Sequence, residues 1–298
     1  MRNTPHIAGS YTGYRFIPSL PMPPKRRFDP LLIATKTAFL QRIQECVVAG
    51  YTRYTTGTIS LEKAPRLFQK FEDLYAVSLR KDERYRRKKT GLASATLHAR
   101  LSEEFEIDFV LMFTPGETIA TSLERLYDVH LNPIPYRELE LVRLTKRGKD
   151  HPVFTWRMNT ATVEAWRQRL HLHTAHNNEN EILRDWFSLY RTIGFAGIRR
   201  QVGELVAYWR REWKQLRGDA PCPVSYPHNE PKIRPLHGMA RGDDGKWRPS
   251  KGFPNSHQLP TLFYVRKKSS DGERLSKVMR EVLPLLNGTS DSDGDAGT

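Results

Sequence analysis

Residues 92–101, LASATLHARL, and 106–114, EIDFVLMFT, read as two β-strands: short apolar-rich runs with polar, turn-prone residues between them. Two more strands are expected at 138–145 (ELELVRLT) and 153–158 (VFTWRM). The stretch KRGKDHP that separates this second pair suits a hairpin loop. Between the two pairs, ETIATSLERLYDVHL (117–131) reads as a short helix. The segments together predict an α+β fold, a small antiparallel sheet with helices packed on one face.

Toward the N-terminus, residues 1–27 are rich in Pro and basic residues and read as a flexible arm. Asp29-Pro30 has the chemistry of a helix start, Asp as N-cap and Pro at the first helical position. Leu32, Phe39, Ile43, Cys46 and Val47 follow at helical spacing, with Gly50 placed to end the helix. Ser60 is expected to cap a second helix whose apolar stripe is Leu61, Ala64, Leu67, Phe68, Phe71 and Leu74. That helix is expected to run on into RKDERYRRKK (80–89).

Past the sheet the chain turns helical. Asn159 suits an N-cap for TATVEAWRQRL, ENEILRDWFSLYRTI follows, and the 199–217 helix lines up Val202, Leu205, Val206, Trp209, Trp213 and Leu216. RTIGFAGIRRQVG, just before that stripe, is neither a Walker loop nor a dinucleotide-binding motif; its glycines read as a tight turn that permits close packing. Residues 28–217 are therefore taken as an α+β core. Residues 218–258, with many Pro and Gly, are expected to form an extended loop or basic C-terminal arm. A strand and a helix should follow within 259–288, then an acidic disordered tail over 289–298.

Composition points to a class of partner. The 298 residues include 48 Lys and Arg against 33 Asp and Glu, a formal charge of +15, and the pI is about 9.9. The acidic tail TSDSDGDAGT leaves the rest of the chain more basic still. Such a field attracts polyanions, nucleic acid first among them. The two cysteines, Cys46 and Cys222, make no disulfide scaffold, and no CxxC pair is present to hold zinc. No apolar run is long enough for a membrane span, and prolines stand where a signal peptide needs its apolar core. The expected setting is the cytoplasm, with no membrane partner.

The densest basic feature is Arg80, Lys81, Arg84, Arg86, Arg87, Lys88 and Lys89, with Tyr85 among them. Long cationic side chains at this density suit phosphate contacts, and the tyrosine is available to stack on an unpaired base. The competing reading is a solvated helix end whose positive charge complements the helix dipole. A second basic face is expected from Arg210, Arg211, Lys214 and Arg217, and a third from Arg266, Lys267 and Lys268. Trp209 and Trp213 fall on the opposite helical face from the second set, so they read as core.

RLHLHTAHNNENEILRDWFSLY (169–190) raises an enzymatic alternative. Nicking enzymes that act through a tyrosine commonly use two histidines separated by one apolar residue, as His171-Leu172-His173 are here. A shared metal needs both imidazoles on one side, which i, i+2 spacing provides only in a strand. Val163, Trp166 and Leu170 recur at helical spacing, and on a helix the two rings diverge by about 200°. No HExxH, GxSxG or P-loop motif is present. No catalytic residue, metal or cofactor is assigned from the sequence.

LVRLTKRGKDHPVFTWRMNTATVEAWRQRL (141–170) and GFAGIRRQVGELVAYWRREW (194–213) resemble stretches of uncharacterised basic accessory proteins encoded on bacterial plasmids and integrating conjugative elements. The resemblance implies a setting in replication, transfer, maintenance or silencing of a mobile element, and it carries no residue roles. The expected function is non-catalytic nucleic-acid binding, DNA or RNA, mainly through the phosphate backbone. The alternatives are a metal-dependent nicking or processing nuclease built on His171 and His173, and a subunit of a larger complex that meets an acidic partner.

Overall fold

Alternation along a single strand sets the layering of the molecule. In the strand over Glu106–Phe113, Ile107, Leu111 and Phe113 point into one apolar core while Val110 and Met112 point into another. A strand buried on both sides needs cover on both sides. The computed structural model describes residues 27–145, 150–220, 239–241, 247–249 and 271–288.

In chain order the first elements are β1 (Leu31–Ile33), α1 (Lys36–Val48), β2 (Arg53–Ser60), α2 (Ala64–Tyr75) and α3 (Lys81–Lys89). The middle of the chain forms β3 (Ala95–Leu101), β4 (Glu106–Phe113), α4 (Ala120–Leu123), β5 (Tyr127–Asp128), β6 (Ile134–Tyr136), β7 (Leu139–Thr145) and β8 (Pro152–Met158). Three helices follow, α5 (Thr160–Ala175), α6 (Glu179–Tyr190) and α7 (Ala196–Arg217). A ribbon of β9 (Met239–Arg241) and β10 (Trp247–Pro249) precedes β11 (Gly272–Arg274) and α8 (Leu275–Gly288).

Six strands form one sheet in the order β11-β1-β3-β4-β2-β5, and β6, β7 and β8 form a separate one. On one face of the large sheet, α2 and α8 close a core around Phe68, Phe71, Ile107, Leu111, Phe113 and Leu275. On the other, α1 lies between the two sheets. Its Phe39, Leu40 and Ile43 are fully buried, and the Leu40 carbonyl accepts a 2.9 Å hydrogen bond from the Trp156 indole of β8. Beyond the small sheet, α5, α6 and α7 contribute Leu170, Trp186, Val202, Trp209 and Trp213 to the same core.

The fold is α+β, as the sequence predicts, but the sheet differs in detail. β1 runs parallel to β3, with Leu32 opposite Ala99, so the large sheet is mixed. Helices cover both of its faces, for the reason β4 shows. The expected hairpin forms as β7–β8, with Leu141 opposite Trp156, yet it belongs to the small sheet. YTRYTTGT, for which the sequence predicts no element, makes most of β2 and pairs along the whole of β4. Of the helix expected over 117–131, only α4 forms; Tyr127 and Asp128 pair with β2 instead.

Helix boundaries move as well. α1 starts at Lys36, where the Thr35 hydroxyl accepts from the Ala38 N–H at 3.2 Å. Asp29 does cap a helix, but that helix is α8: its carboxylate takes the Ser276 N–H at 2.9 Å and the Ser276 hydroxyl at 2.7 Å. Ser60 ends a strand, and α2 begins at Ala64 with Pro in its first turn. α2 and α3 are separate helices, broken at Ala76 with φ +50°.

β1 and β11, distant in sequence, meet at one edge of the large sheet. β11 lies antiparallel to β1, Leu31 opposite Arg274. Gly272 passes so close to Leu32 that a Cβ there would overlap its carbonyl oxygen, so only glycine fits. Gly197, in the first turn of α7, makes a comparable approach, its missing Cβ leaving room for the Trp156 carbonyl, which seats α7 on β8. The basic arm expected over 218–258 lies mostly outside the described residues, as do residues 259–270, where the expected strand would begin, and the acidic tail.

Candidate nucleic-acid interface

α3 buries no residue. A nine-residue helix of such polar composition gains little from packing, and isolated helices of this length are marginal in water. What holds it is polar. The Glu83 carboxylate accepts from the Arg80 N–H at 2.7 Å, and the Thr90 hydroxyl bonds back to the Arg87 carbonyl at 2.9 Å. Asp82 and Glu83 in the first turn and Arg86 to Lys89 in the last both complement the helix dipole.

The seven cations of this segment divide into two sets. Arg84 and Arg87 turn inward. Arg84 donates to the Tyr51 hydroxyl at 3.2 Å and the Val77 carbonyl at 3.3 Å, and Arg87 donates to the Ala93 carbonyl at 3.1 Å. They pin α3 to the end of α1 and to the entry of β3. Arg80, Lys81, Arg86, Lys88 and Lys89 face solvent, and among the described residues no carboxylate pairs with Lys81, Arg86, Lys88 or Lys89. Tyr85 is 60% exposed, with the Lys89 ammonium 5.0 Å from its ring centroid.

The second basic face is divided. Arg217 closes the C-terminus of α5, donating to the Thr174 and Ala175 carbonyls at 2.8 and 2.6 Å. Arg211 and Lys214 are exposed; Arg211 lines a shallow depression with Arg167, His171 and Tyr208. Arg210 is exposed and engaged in contacts of its own. Trp209 and Trp213 are buried, as their helical face predicts. Arg266, Lys267 and Lys268 lie outside the described residues.

His171 and His173 sit on α5, and their rings go to different partners. His171 Nδ1 lies 2.6 Å from the Glu212 carboxylate of α7, and His173 Nδ1 lies 2.6 Å from Asp185 of α6. Tyr190, the tyrosine of the nicking alternative, is buried beside Trp186. His173, Glu181 and Asp185 bring three donor atoms within 4.8 Å of one another. The His173–Asp185 hydrogen bond occupies one atom of each, however, and each carboxylate also meets an arginine, Arg184 at Glu181 and Arg169 at Asp185 (3.4 Å). This is the geometry of a polar tether between α5 and α6.

Two clusters escaped the sequence reading because their members are far apart along the chain. Cys46 Sγ of α1 lies 3.1 Å from His98 Nε2 of β3. Burial pushes the thiol up to about 11 against the pull of Arg84, and burial with the nearby Arg42 and Arg84 pushes the imidazole down to about 4. Both groups are therefore neutral near pH 7, unlike the charged pair of a thiol nucleophile. The second cluster centres on the buried Asp108, which accepts from Thr58 at 3.1 Å and Tyr136 at 3.0 Å, with Arg137 3.4 Å away. Arg100 donates to the same Tyr136 hydroxyl at 3.2 Å. It clasps the large sheet to the small one.

No protein-family model, no curated protein and no solved structure matches this chain. Among the described residues no helix is long and apolar enough to cross a membrane.

Proposed function

We propose that the protein is a non-catalytic nucleic-acid-binding accessory protein that contacts mainly the phosphate backbone. One observation carries the reading: α3 buries nothing, is anchored through two inward arginines, and with its N-cap Arg80 presents five solvent-facing cations around an exposed tyrosine. A helix that contributes no side chain to the core leaves its exposed face free for contact. Dipole complementarity accounts for the sign of charge in its last turn, but not for Arg80 and Lys81 at its start. Arg211 and Lys214 on α7 form a secondary basic face. The sequence resemblance adds the biological setting we propose, a bacterial plasmid or integrating conjugative element.

Fluorescence anisotropy with labelled oligonucleotides of unrelated sequence tests the reading. Log affinity should fall linearly and steeply with log salt, since each neutralised phosphate contributes roughly −0.7 to −0.9 to the slope. Affinities should differ little between sequences. Absence of binding at low salt, or binding insensitive to salt, would overturn the proposal.

A further inference from the structure

We infer that the exposed face of α3 takes an unpaired strand, with Tyr85 stacked on a base and lysines holding the phosphates on either side; the inference rests on the nucleic-acid reading above. Lys81, Lys88 and Lys89 stand at i−4, i+3 and i+4 from Tyr85, so all three share its side of the helix. From Lys81 to Lys89 the face runs about 12 Å along the axis, room for one stacked base flanked by phosphates. The ring is 60% exposed and has a cation over it at 5.0 Å. It contributes to neither core, so packing does not explain its place.

Strand pairing decides what such a ring meets. In a duplex each base face is covered by its stacked neighbours, so a helix in a groove meets base edges and backbone but no free π-face. An unpaired strand offers a free π-face at every base, and stacking on it is tolerant of sequence. The neighbouring lysines fit the same description. They act as point charges without the bidentate fork by which arginine reads a guanine edge. The anchoring of Arg84 and Arg87 to backbone carbonyls fixes the direction in which the ring points, so little ordering of the protein accompanies binding.

The test uses the full chain with three probes of equal length, an oligo-dT, an oligo-U and a blunt DNA duplex, and two variants, Tyr85→Leu and Tyr85→Trp. The wild-type chain should prefer the unpaired probes. Tyr85→Leu should weaken binding to them by about tenfold or more and leave duplex binding unchanged, whereas Tyr85→Trp should retain it. A 2-aminopurine placed in the unpaired strand should change its fluorescence on binding, and lose that response with Tyr85→Leu. A loss confined to oligo-U or to oligo-dT supports the stacking and identifies the strand as RNA or DNA. Equal effects of Tyr85→Leu on all three probes, or no effect on any, would overturn the inference while salt-dependent binding leaves the phosphate reading intact. No binding to any probe at low salt would overturn both.

Discussion

α3 and α7 carry similar runs of basic residues in the sequence and employ them in opposite ways. α7 is a core helix: Val202, Leu205, Val206, Trp209 and Trp213 are buried along one stripe. Part of its charge is engaged within the fold, Arg217 at the end of α5 and Glu212 with His171, while Arg200 and Glu204 pair along its surface and Arg211 and Lys214 stay exposed. α3 has no buried stripe, and of the seven cations on it and its N-cap Arg80 five go to solvent. Counting bases therefore does not tell the two helices apart. The destination of each guanidinium and ammonium does.

The sharpest difference should appear in stability. Trp209→Ala in α7 removes a buried indole and leaves the Thr174 hydroxyl without its 2.8 Å donor, and should cost about 3–5 kcal/mol. Tyr85→Leu in α3 should stay within about 0.5 kcal/mol. Urea unfolding measures both; a comparable loss from Tyr85→Leu would mean that α3 is packed after all.

The anchor of α3 also has a pH signature. His98 lies near Arg84 and carries its proton only below about 4 in the fold, against 6.5 when free. Between those values the unfolded chain binds the extra proton, so stability rises with pH through the window. This contribution is complete above about 6.5 and is lost progressively as pH falls toward 4. A difference of that size corresponds to an effect on the order of 3 kcal/mol. His98→Gln should unfold with a weaker pH dependence than the wild-type chain between pH 4 and 6.5, and identical profiles would contradict the assignment.

Within α3 itself the two sets of cations should separate. Arg87→Gln strands the Ala93 carbonyl and should cost about 1–2 kcal/mol, while Lys88→Gln should cost less than about 0.5. Binding should show the reverse order at equal folding. If both substitutions act alike, the division into anchors and displayed cations is wrong.

Much of this was legible in the sequence. β3, β4, β7 and β8 lie where short apolar runs predict strands, and α5 and α7 where the apolar spacing predicts helices, with Asn159 as the cap of α5. β2 was hidden because Thr56 and Thr58 alternate with Thr55 and Gly57, so its buried face lacks an apolar signature. Gly57 instead leaves room for the Phe109 ring. Asp29 shows the limit of local chemistry. Its capping power was readable, but the helix that receives it lies 247 residues further on, and β1 fills the place where the sequence predicts helix. The α2–α3 break rests on a left-handed alanine, which carries no glycine signal.

The candidate interface was half legible for the same reason. All seven bases of 80–89 look equivalent in sequence, and only folding shows that Val77 and Ala93 carbonyls claim two of them. The third set, at 266–268, lies beyond the described residues. Cys46–His98 and the Asp108 clasp join positions 52 and 28 residues apart, distances at which no local pattern operates.

We propose that displayed cations on α3, more than those on α7, hold the phosphates. The direct measurement is the salt dependence of binding to an unpaired oligonucleotide, made on two variants of the full chain. One carries Lys81→Gln, Arg86→Gln, Lys88→Gln and Lys89→Gln; the other carries Arg211→Gln and Lys214→Gln. The α3 variant should lower affinity for every sequence and flatten the log–log slope by about 3, four contacts at roughly 0.7 each, while the α7 variant changes it by less than about 1. An unchanged slope in the α3 variant, with the loss appearing in the α7 variant, would contradict the account and move the binding surface to α7.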